Sequence, residues 1–120
     1  MDEFRLIDRF FRRDSKSSGI VVGIGDDGAV VNTAYDDQMV LVTDTLVAGV
    51  HFPEKTTPED LGYKLLAVNL SDLAAMGAKP TWFLLNLVVP DADERWLQGF
   101  SAGLFSLFAI LKALLIEFFI

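Results

Sequence analysis

The stretch Asn69-Leu70-Ser71-Asp72-Leu73-Ala74-Ala75-Met76-Gly77-Ala78 places one carboxylate in an apolar helical pattern. Successive residues of an α-helix turn by about 100°, so Asp72 falls within a stripe of apolar side chains. The stripe consists of Leu61, Leu65, Val68 and Met76. A carboxylate there is costly unless it is paired or hydrogen-bonded. Backbone amides of a nearby loop could satisfy Asp72, but we favour a ligand role because structural roles seldom require a carboxylate.

Two further acidic segments precede Asp72, namely Gly23-Ile24-Gly25-Asp26-Asp27 and Thr43-Asp44. The glycines permit a tight turn and close approach of a ligand, although Gly and Asp also form ordinary turns. Strand alternation sends Thr43 and Asp44 to opposite faces, so both bind one ion only if the chain bends or Thr43 uses its carbonyl oxygen. Taken alone, Asp44 is better explained as a cap. Three acidic segments together predict a shared Mg²⁺ and, with it, phosphate chemistry.

Composition limits the class of protein. A chain of 120 residues makes a single domain at most, and a net charge of −7 disfavours a nucleic-acid partner. The absence of cysteine excludes disulfides and thiolate zinc sites. The first residues show no basic segment followed by an apolar one, so we predict no signal peptide and a cytoplasmic protein.

The far end of the chain, residues 103–120, is apolar apart from small residues, Lys112 and Glu117. Its 18 residues approach the length of a bilayer span. Each of the two charges would cost roughly 2.5–3.5 kcal/mol at the centre of a membrane helix, and no basic flank follows. We therefore predict a buried helix rather than a membrane anchor.

Helices and strands are predicted in an alternating order. The predicted helices cover Glu3–Arg13, Pro58–Gly77 with Thr57 as N-cap, and a segment from about Glu94 with Asp91 or Asp93 as N-cap. The predicted strands cover Ile20–Ile24, with Ala29–Asn32 extended, then Met39–Asp44 and Trp82–Val89. Apolar residues recur at helical spacing in the first helix, at Phe4, Ile7, Phe10 and Phe11, and share one face of the last, at Trp96, Phe100 and Leu104. The fold class is α/β (α+β).

His51 is the single histidine of the chain. A lone histidine in a loop is more often solvated than catalytic, and its neighbours give no independent support for a role. No Ser/His/Asp arrangement, Cys/His metal spacing or glycine-rich nucleotide fingerprint can be assembled from this sequence.

Four segments nevertheless resemble the bacterial thiamine-monophosphate kinases, in order and at matching spacing. They are Glu3-Phe4-x-Leu6-Ile7-x-x-Phe10-Phe11, Gly23-Ile24-Gly25-Asp26-Asp27-x-Ala29, Thr43-Asp44-x-Leu46-Val47-x-Gly49-x-His51-Phe52, and Ala67 through Pro80. The last points to the wider aminoimidazole-ribonucleotide synthetase-like superfamily, and the third narrows it to the thiamine enzyme. A selenophosphate-synthetase or hydrogenase-maturation relative is disfavoured by Gly49-Val50-His51-Phe52.

This resemblance implies ATP-dependent phosphorylation of thiamine monophosphate to thiamine diphosphate, with Mg²⁺ on the nucleotide phosphates. Carried over by position, Asp27, Thr43, Asp44 and Asp72 are the implied metal ligands and His51 the implied contact to the thiamine phosphate. The family commonly has Ser or Thr where Val42 stands, so only the Val42 carbonyl could bind metal. The implied fold is an N-terminal domain with a mixed, mostly antiparallel sheet packed with helices. Its strands pair with a second subunit, which implies a homodimer.

The sequence departs from the family near its end. We assign residues 1–108 to the synthetase-like N-terminal domain and residues 109–120 to an apolar tail that departs from the family. The Gly-Gly-Asp-Thr motif and the C-terminal domain of the family, which complete the nucleotide and substrate sites, do not occur here. The chain therefore looks like the front third of a kinase and is expected to be inactive alone. The alternative is a non-catalytic remnant that acts only as a dimerisation module.

Overall fold

The computed structural model describes residues 2–13, 19–33 and 36–110. These residues fall into two compact units. The first holds the described residues up to Met39 together with Pro80–Ala92, and the second holds Val40–Lys79 with the described residues from Asp93 onward. The predicted tail lies almost wholly outside the described part of the chain, so its boundary at residue 108 stays a prediction.

The first unit begins with helix α1, Glu3–Leu6, which continues as a π-helical segment, Ile7–Phe11. Asp2 caps α1, because its side chain accepts a hydrogen bond from the Arg5 N–H at 2.9 Å. Ile7, Phe10 and Phe11 are buried, as predicted, whereas Phe4 is 69% exposed. The apolar residues of the π-helical segment are therefore buried, whereas Phe4 of α1 lies outside the core.

A short hairpin follows in the same unit. Strand β1, Ile20–Val22, pairs antiparallel with strand β2, Val30–Val31, and the turn between them holds the predicted acidic segment. Residues 82–89 are extended without ladder hydrogen bonds among the described residues, so the strand predicted there is not formed. Exposure still alternates along them, with Leu84 and Val88 exposed and Leu85 buried. This alternation is typical of residues in a strand conformation.

The second unit contains helix α2, Pro58–Ala75, and helix α3, Glu94–Ile110. Thr57 caps α2 through its hydroxyl, which accepts from the Asp60 N–H at 3.2 Å. Gly77, at φ +67°, ends the helix, with Ala78 N–H donating to the Leu73 carbonyl at 3.0 Å. Met39–Asp44, predicted as a strand, has no ladder partner among the described residues.

Asp93, one of the two predicted caps, is the N-cap of α3. Its Oδ1 accepts hydrogen bonds from the Arg95 and Trp96 N–H groups at 3.0 and 3.1 Å. Phe100 and Leu104 are buried as predicted, and Leu97 is buried beside them. The Trp96 and Phe100 rings stack with centroids 5.1 Å apart. These residues form the core of the second unit.

Helices α2 and α3 touch through glycine. A Cβ built on Gly62 would collide with the Phe100 carbonyl oxygen, and one on Gly103 would collide with the Glu59 carbonyl oxygen. The buried residues of α2 are therefore Leu61, Gly62 and Leu66. The stripe predicted from the sequence was wrong at its C-terminal end, where Met76 is 64% exposed. No helix within the described residues is long and apolar enough to cross a membrane.

Candidate metal and phosphate site

The hairpin turn of the first unit presents Asp26 and Asp27. Gly25 has φ +105°, a backbone conformation that glycine adopts readily and side chains disfavour. Asp26 Oδ1 accepts a hydrogen bond from the Asp27 N–H at 2.8 Å, so one Asp26 carboxylate oxygen is engaged locally. Both aspartates are exposed. Of the two, Asp27 is the better placed to offer its carboxylate to a ligand.

Arg12 contacts this turn, and no sequence pattern predicted this contact. Its Nη1 donates to the Ile24 carbonyl oxygen at 3.4 Å, and its Nε pairs with Asp8 Oδ1 at 2.6 Å. A Cβ on Gly25 would lie 2.5 Å from Arg12 Nη2. Glycine at this position therefore allows the guanidinium to approach the turn. No sequence signal links Arg12 to the turn, because the two segments meet only in the folded unit.

Thr43 and Asp44 lie in the second unit outside its helices, and both are exposed. Asp44 Oδ1 accepts the Thr45 N–H at 2.9 Å, as a local turn would. The second carboxylate oxygen of Asp44 has no hydrogen bond within the described residues. The cap interpretation and the ligand interpretation of Asp44 are therefore compatible, because each uses a different oxygen.

Asp72 is exposed on α2 and is not buried in an apolar stripe as the sequence suggested. The reason is its position along the helix, because the buried residues of α2, Leu61, Gly62 and Leu66, lie in its first half, whereas Ser71 and residues 74–77 are exposed like Asp72. Burial therefore gives no argument for a cation at Asp72. The carboxylates themselves still suit a cation, because no basic side chain among the described residues forms an ion pair with Asp27, Asp44 or Asp72. Exposed, uncompensated carboxylates fit Mg²⁺.

His51 closes a compact loop of residues 47–52. The Val50 and His51 N–H groups both donate to the Val47 carbonyl, and Gly49 N–H donates to the Phe52 carbonyl at 2.8 Å. The imidazole completes the loop, because its Nδ1 accepts the Val47 N–H at 2.9 Å. An accepting Nδ1 carries no proton, so the neutral ring is protonated at Nε2 and can donate from there. Such a donor suits a phosphate oxygen.

The described residues contain no group of three or more His, Cys, Asp or Glu side chains that could hold a metal ion. Asp27 belongs to the first unit, whereas Thr43, Asp44, His51 and Asp72 belong to the second. The convergence of the four predicted ligands on a common cation therefore stays a prediction.

Comparison with known proteins places the chain in a family. The family model described as "AIR synthase related protein, N-terminal domain" matches residues 25–116. The chain belongs to this family, and it has the corresponding α+β fold of helices with a small antiparallel sheet.

Individual members of that family can be named as relatives of this chain. The chain is 54% identical over 106 residues to the thiamine-monophosphate kinase of Escherichia coli, a match that covers 88% of this chain and 33% of the relative. It is 47% identical over 107 residues to the enzyme of the same name from Buchnera aphidicola, again 88% and 33%. The chain thus spans about a third of the length of the curated relatives it matches.

A solved structure gives the same result. The crystal structure of thiamine-monophosphate kinase from Stenotrophomonas maltophilia matches with a TM-score of 0.75 and 45% identity, over 99% of this chain and 37% of that one. The resemblance to thiamine-monophosphate kinases that the sequence motifs indicated is therefore confirmed.

Proposed function

We propose that this chain is the N-terminal part of an ATP-dependent kinase that converts thiamine monophosphate to thiamine diphosphate. The observation that carries the proposal is the 54% identity to the Escherichia coli thiamine-monophosphate kinase across 88% of this chain. The chain spans a third of that relative, so the complete activity, its substrates and its partners belong to the proposal.

In this proposal Asp27, Thr43, Asp44 and Asp72 hold Mg²⁺. When bound, Mg²⁺ would neutralise charge on the phosphates of the nucleotide. The aspartates would offer carboxylate oxygens, and Asp44 has one oxygen left after its hydrogen bond to the Thr45 N–H. Thr43 would offer its hydroxyl or carbonyl oxygen. All four residues are exposed and so are open to a ligand from solvent.

His51 binds the phosphate of thiamine monophosphate in this proposal. The hydrogen bond from the Val47 N–H to Nδ1 leaves the Nε2–H available to a ligand, and His51 is exposed. A neutral N–H donor orients a phosphate oxygen without adding a proton to it, which favours correct placement of the acceptor for in-line transfer.

We also propose that the domain works as a cytoplasmic homodimer. Leu84 and Val88 are 73% and 89% exposed, and they lie in residues 82–89, whose exposure alternates as in a strand. A second copy of the chain would supply both a strand partner and apolar cover.

A chimera tests the proposal most directly. Residues 1–108 of this chain would replace the matching third of the Escherichia coli enzyme, and thiamine diphosphate formation from ATP and thiamine monophosphate would be measured. We expect activity that Asp44→Asn abolishes and that the exposed control Asp37→Asn leaves intact. An inactive but folded chimera would favour the alternative, a non-catalytic dimerisation module. The 120-residue chain assayed alone is expected to form no thiamine diphosphate.

A further inference from the structure

Lys64 connects helix α2 to the His51 loop. Its Nζ donates a hydrogen bond to the His51 carbonyl oxygen at 2.8 Å, across 13 residues of sequence. Apart from the bond to Lys64, the hydrogen bonds of residues 47–52 within the described part of the chain are internal to the loop. Lys64 is therefore the contact through which a long helix fixes the position of the histidine.

We propose that Lys64 is a positioning residue for His51, and that the ammonium group also contributes positive charge to the phosphate site. The choice of thiamine monophosphate as ligand rests on the proposed function. The positioning role itself rests on the observed hydrogen bond between the two residues.

His51 and Lys64 are both exposed, so packing does little to hold the imidazole in place. Hydrogen bonds must do so instead, and a bond donated by an ammonium is roughly twice as strong as a neutral one. Lys64 lies in the second turn of α2, whose 18 residues are capped at both ends. Attachment to this helix limits movement of the loop and keeps the Val47 N–H aligned with Nδ1.

The positive charge of Lys64 also favours phosphate binding at this site. The chain carries a net charge of −7, which repels a phosphate dianion from most of its surface. Lys64 has two N–H donors beyond the one used for the His51 carbonyl. The Nε2–H of His51 and the ammonium of Lys64 thus combine a directional donor with a positive charge, the two features that bind phosphate.

The test uses the 120-residue chain and three variants, Lys64→Met, Lys64→Arg and Lys55→Met. Methionine keeps the unbranched apolar part of the side chain and removes the ammonium donor, whereas arginine supplies a donor again. Lys55→Met removes the same charge from an exposed residue of the same unit and is the matched control. The measurements are the Val47 amide and His51 imidazole ¹⁵N signals by NMR, followed by titration with thiamine monophosphate.

We expect Lys64→Met to shift the Val47 amide, to mix the two His51 tautomers and to weaken thiamine monophosphate binding about tenfold, which is about 1.4 kcal/mol. Lys64→Arg should restore these properties, and Lys55→Met should resemble the wild type. Unchanged Val47 and His51 signals in Lys64→Met would overturn the proposal, as would an equal loss of binding in Lys55→Met. If the wild type binds no thiamine monophosphate but Lys64→Met still alters the loop, the positioning role is supported and the contribution of Lys64 to phosphate binding by this chain alone is overturned, whereas the chimera assay decides the proposed function.

Discussion

Gly62 of α2 lies against the carbonyl oxygen of Phe100 in α3, with no space for a Cβ between the two backbones. This contact lies in the first half of α2, which holds the buried residues of the helix, and Asp72 lies ten residues beyond Gly62, where it is exposed. A glycine in the helix costs about 1 kcal/mol relative to alanine in helix propensity. The close approach of α3 is the structural reason for glycine at this position.

Gly62→Ala should therefore destabilise the chain although alanine is the better helix former. Overpacking costs typically 1–3 kcal/mol, and here the neighbouring atom belongs to the backbone and cannot rotate away. We expect a net loss of about 1–2 kcal/mol in the free energy of unfolding, measured by urea denaturation. Gly28→Ala is the control, because no atom lies within 4 Å of its Cβ position. A Gly62→Ala variant as stable as wild type would contradict the helix contact.

Asp93→Ala should weaken the start of α3. Its Oδ1 accepts two N–H groups that have no other partner in the first turn of the helix. Loss of such a cap typically costs about 1 kcal/mol, so the midpoint of urea denaturation should fall. Asp91→Ala removes the same charge two residues earlier and should have little effect. Equal losses in both variants would mean that charge, and not capping, is responsible.

Paramagnetic Mn²⁺ can test whether the predicted ligands converge. If Asp27, Thr43, Asp44 and Asp72 hold a common cation, NMR signals of their amides should broaden at the same low Mn²⁺ concentration, and excess Mg²⁺ should reverse the effect. Asp72→Asn should weaken this binding about tenfold or more, because Mg²⁺ depends on few carboxylates. The exposed Asp60→Asn, near the start of α2, is the control. Broadening at Asp44 and Asp72 without Asp27 would remove Asp27 from the site.

Local sequence signals predicted the helices well, because caps act within a few residues. Thr57, Pro58 and Gly77 mark the limits of α2 as the sequence indicated, and Asp93 was one of two predicted caps for α3. Periodicity was less reliable for burial. The predicted stripe is buried at Leu61 but exposed at Asp72 and Met76, because periodicity does not show which part of a helix its partner covers.

The site showed the same limit. Motif resemblance selected exposed residues that suit Mg²⁺ and phosphate, but it gave no indication of Lys64 or Arg12. Lys64 and Arg12 donate hydrogen bonds to the backbone carbonyls of His51 and Ile24, respectively. Every residue has a backbone carbonyl, so the sequence does not show which of them accepts such a bond. The predicted strands at 39–44 and 82–89 have the right alternation or composition but lack ladder partners among the described residues.

The exposed apolar side chains of residues 82–89 lead to a prediction about self-association. Leu84 and Val88 present apolar side chains on one side of an extended segment, at 73% and 89% exposure. The predicted apolar tail, also expected to promote association, lies outside the described residues apart from its first positions. If a second copy covers Leu84 and Val88, burying a leucine or valine side chain should contribute roughly 1.5–3 kcal/mol each to assembly. The wild type should then sediment as a dimer at micromolar concentration.

The double variant Leu84→Lys/Val88→Lys should shift this equilibrium toward monomer, because two ammonium groups cannot be buried without partners. Phe4→Lys is the matched control, since Phe4 is 69% exposed and lies on α1 outside the extended segment. Analytical ultracentrifugation of wild type and both variants across a hundredfold range of concentration provides the measurement. A monomeric wild type, or a double variant that dimerises as strongly as Phe4→Lys, would show that this segment does not mediate assembly.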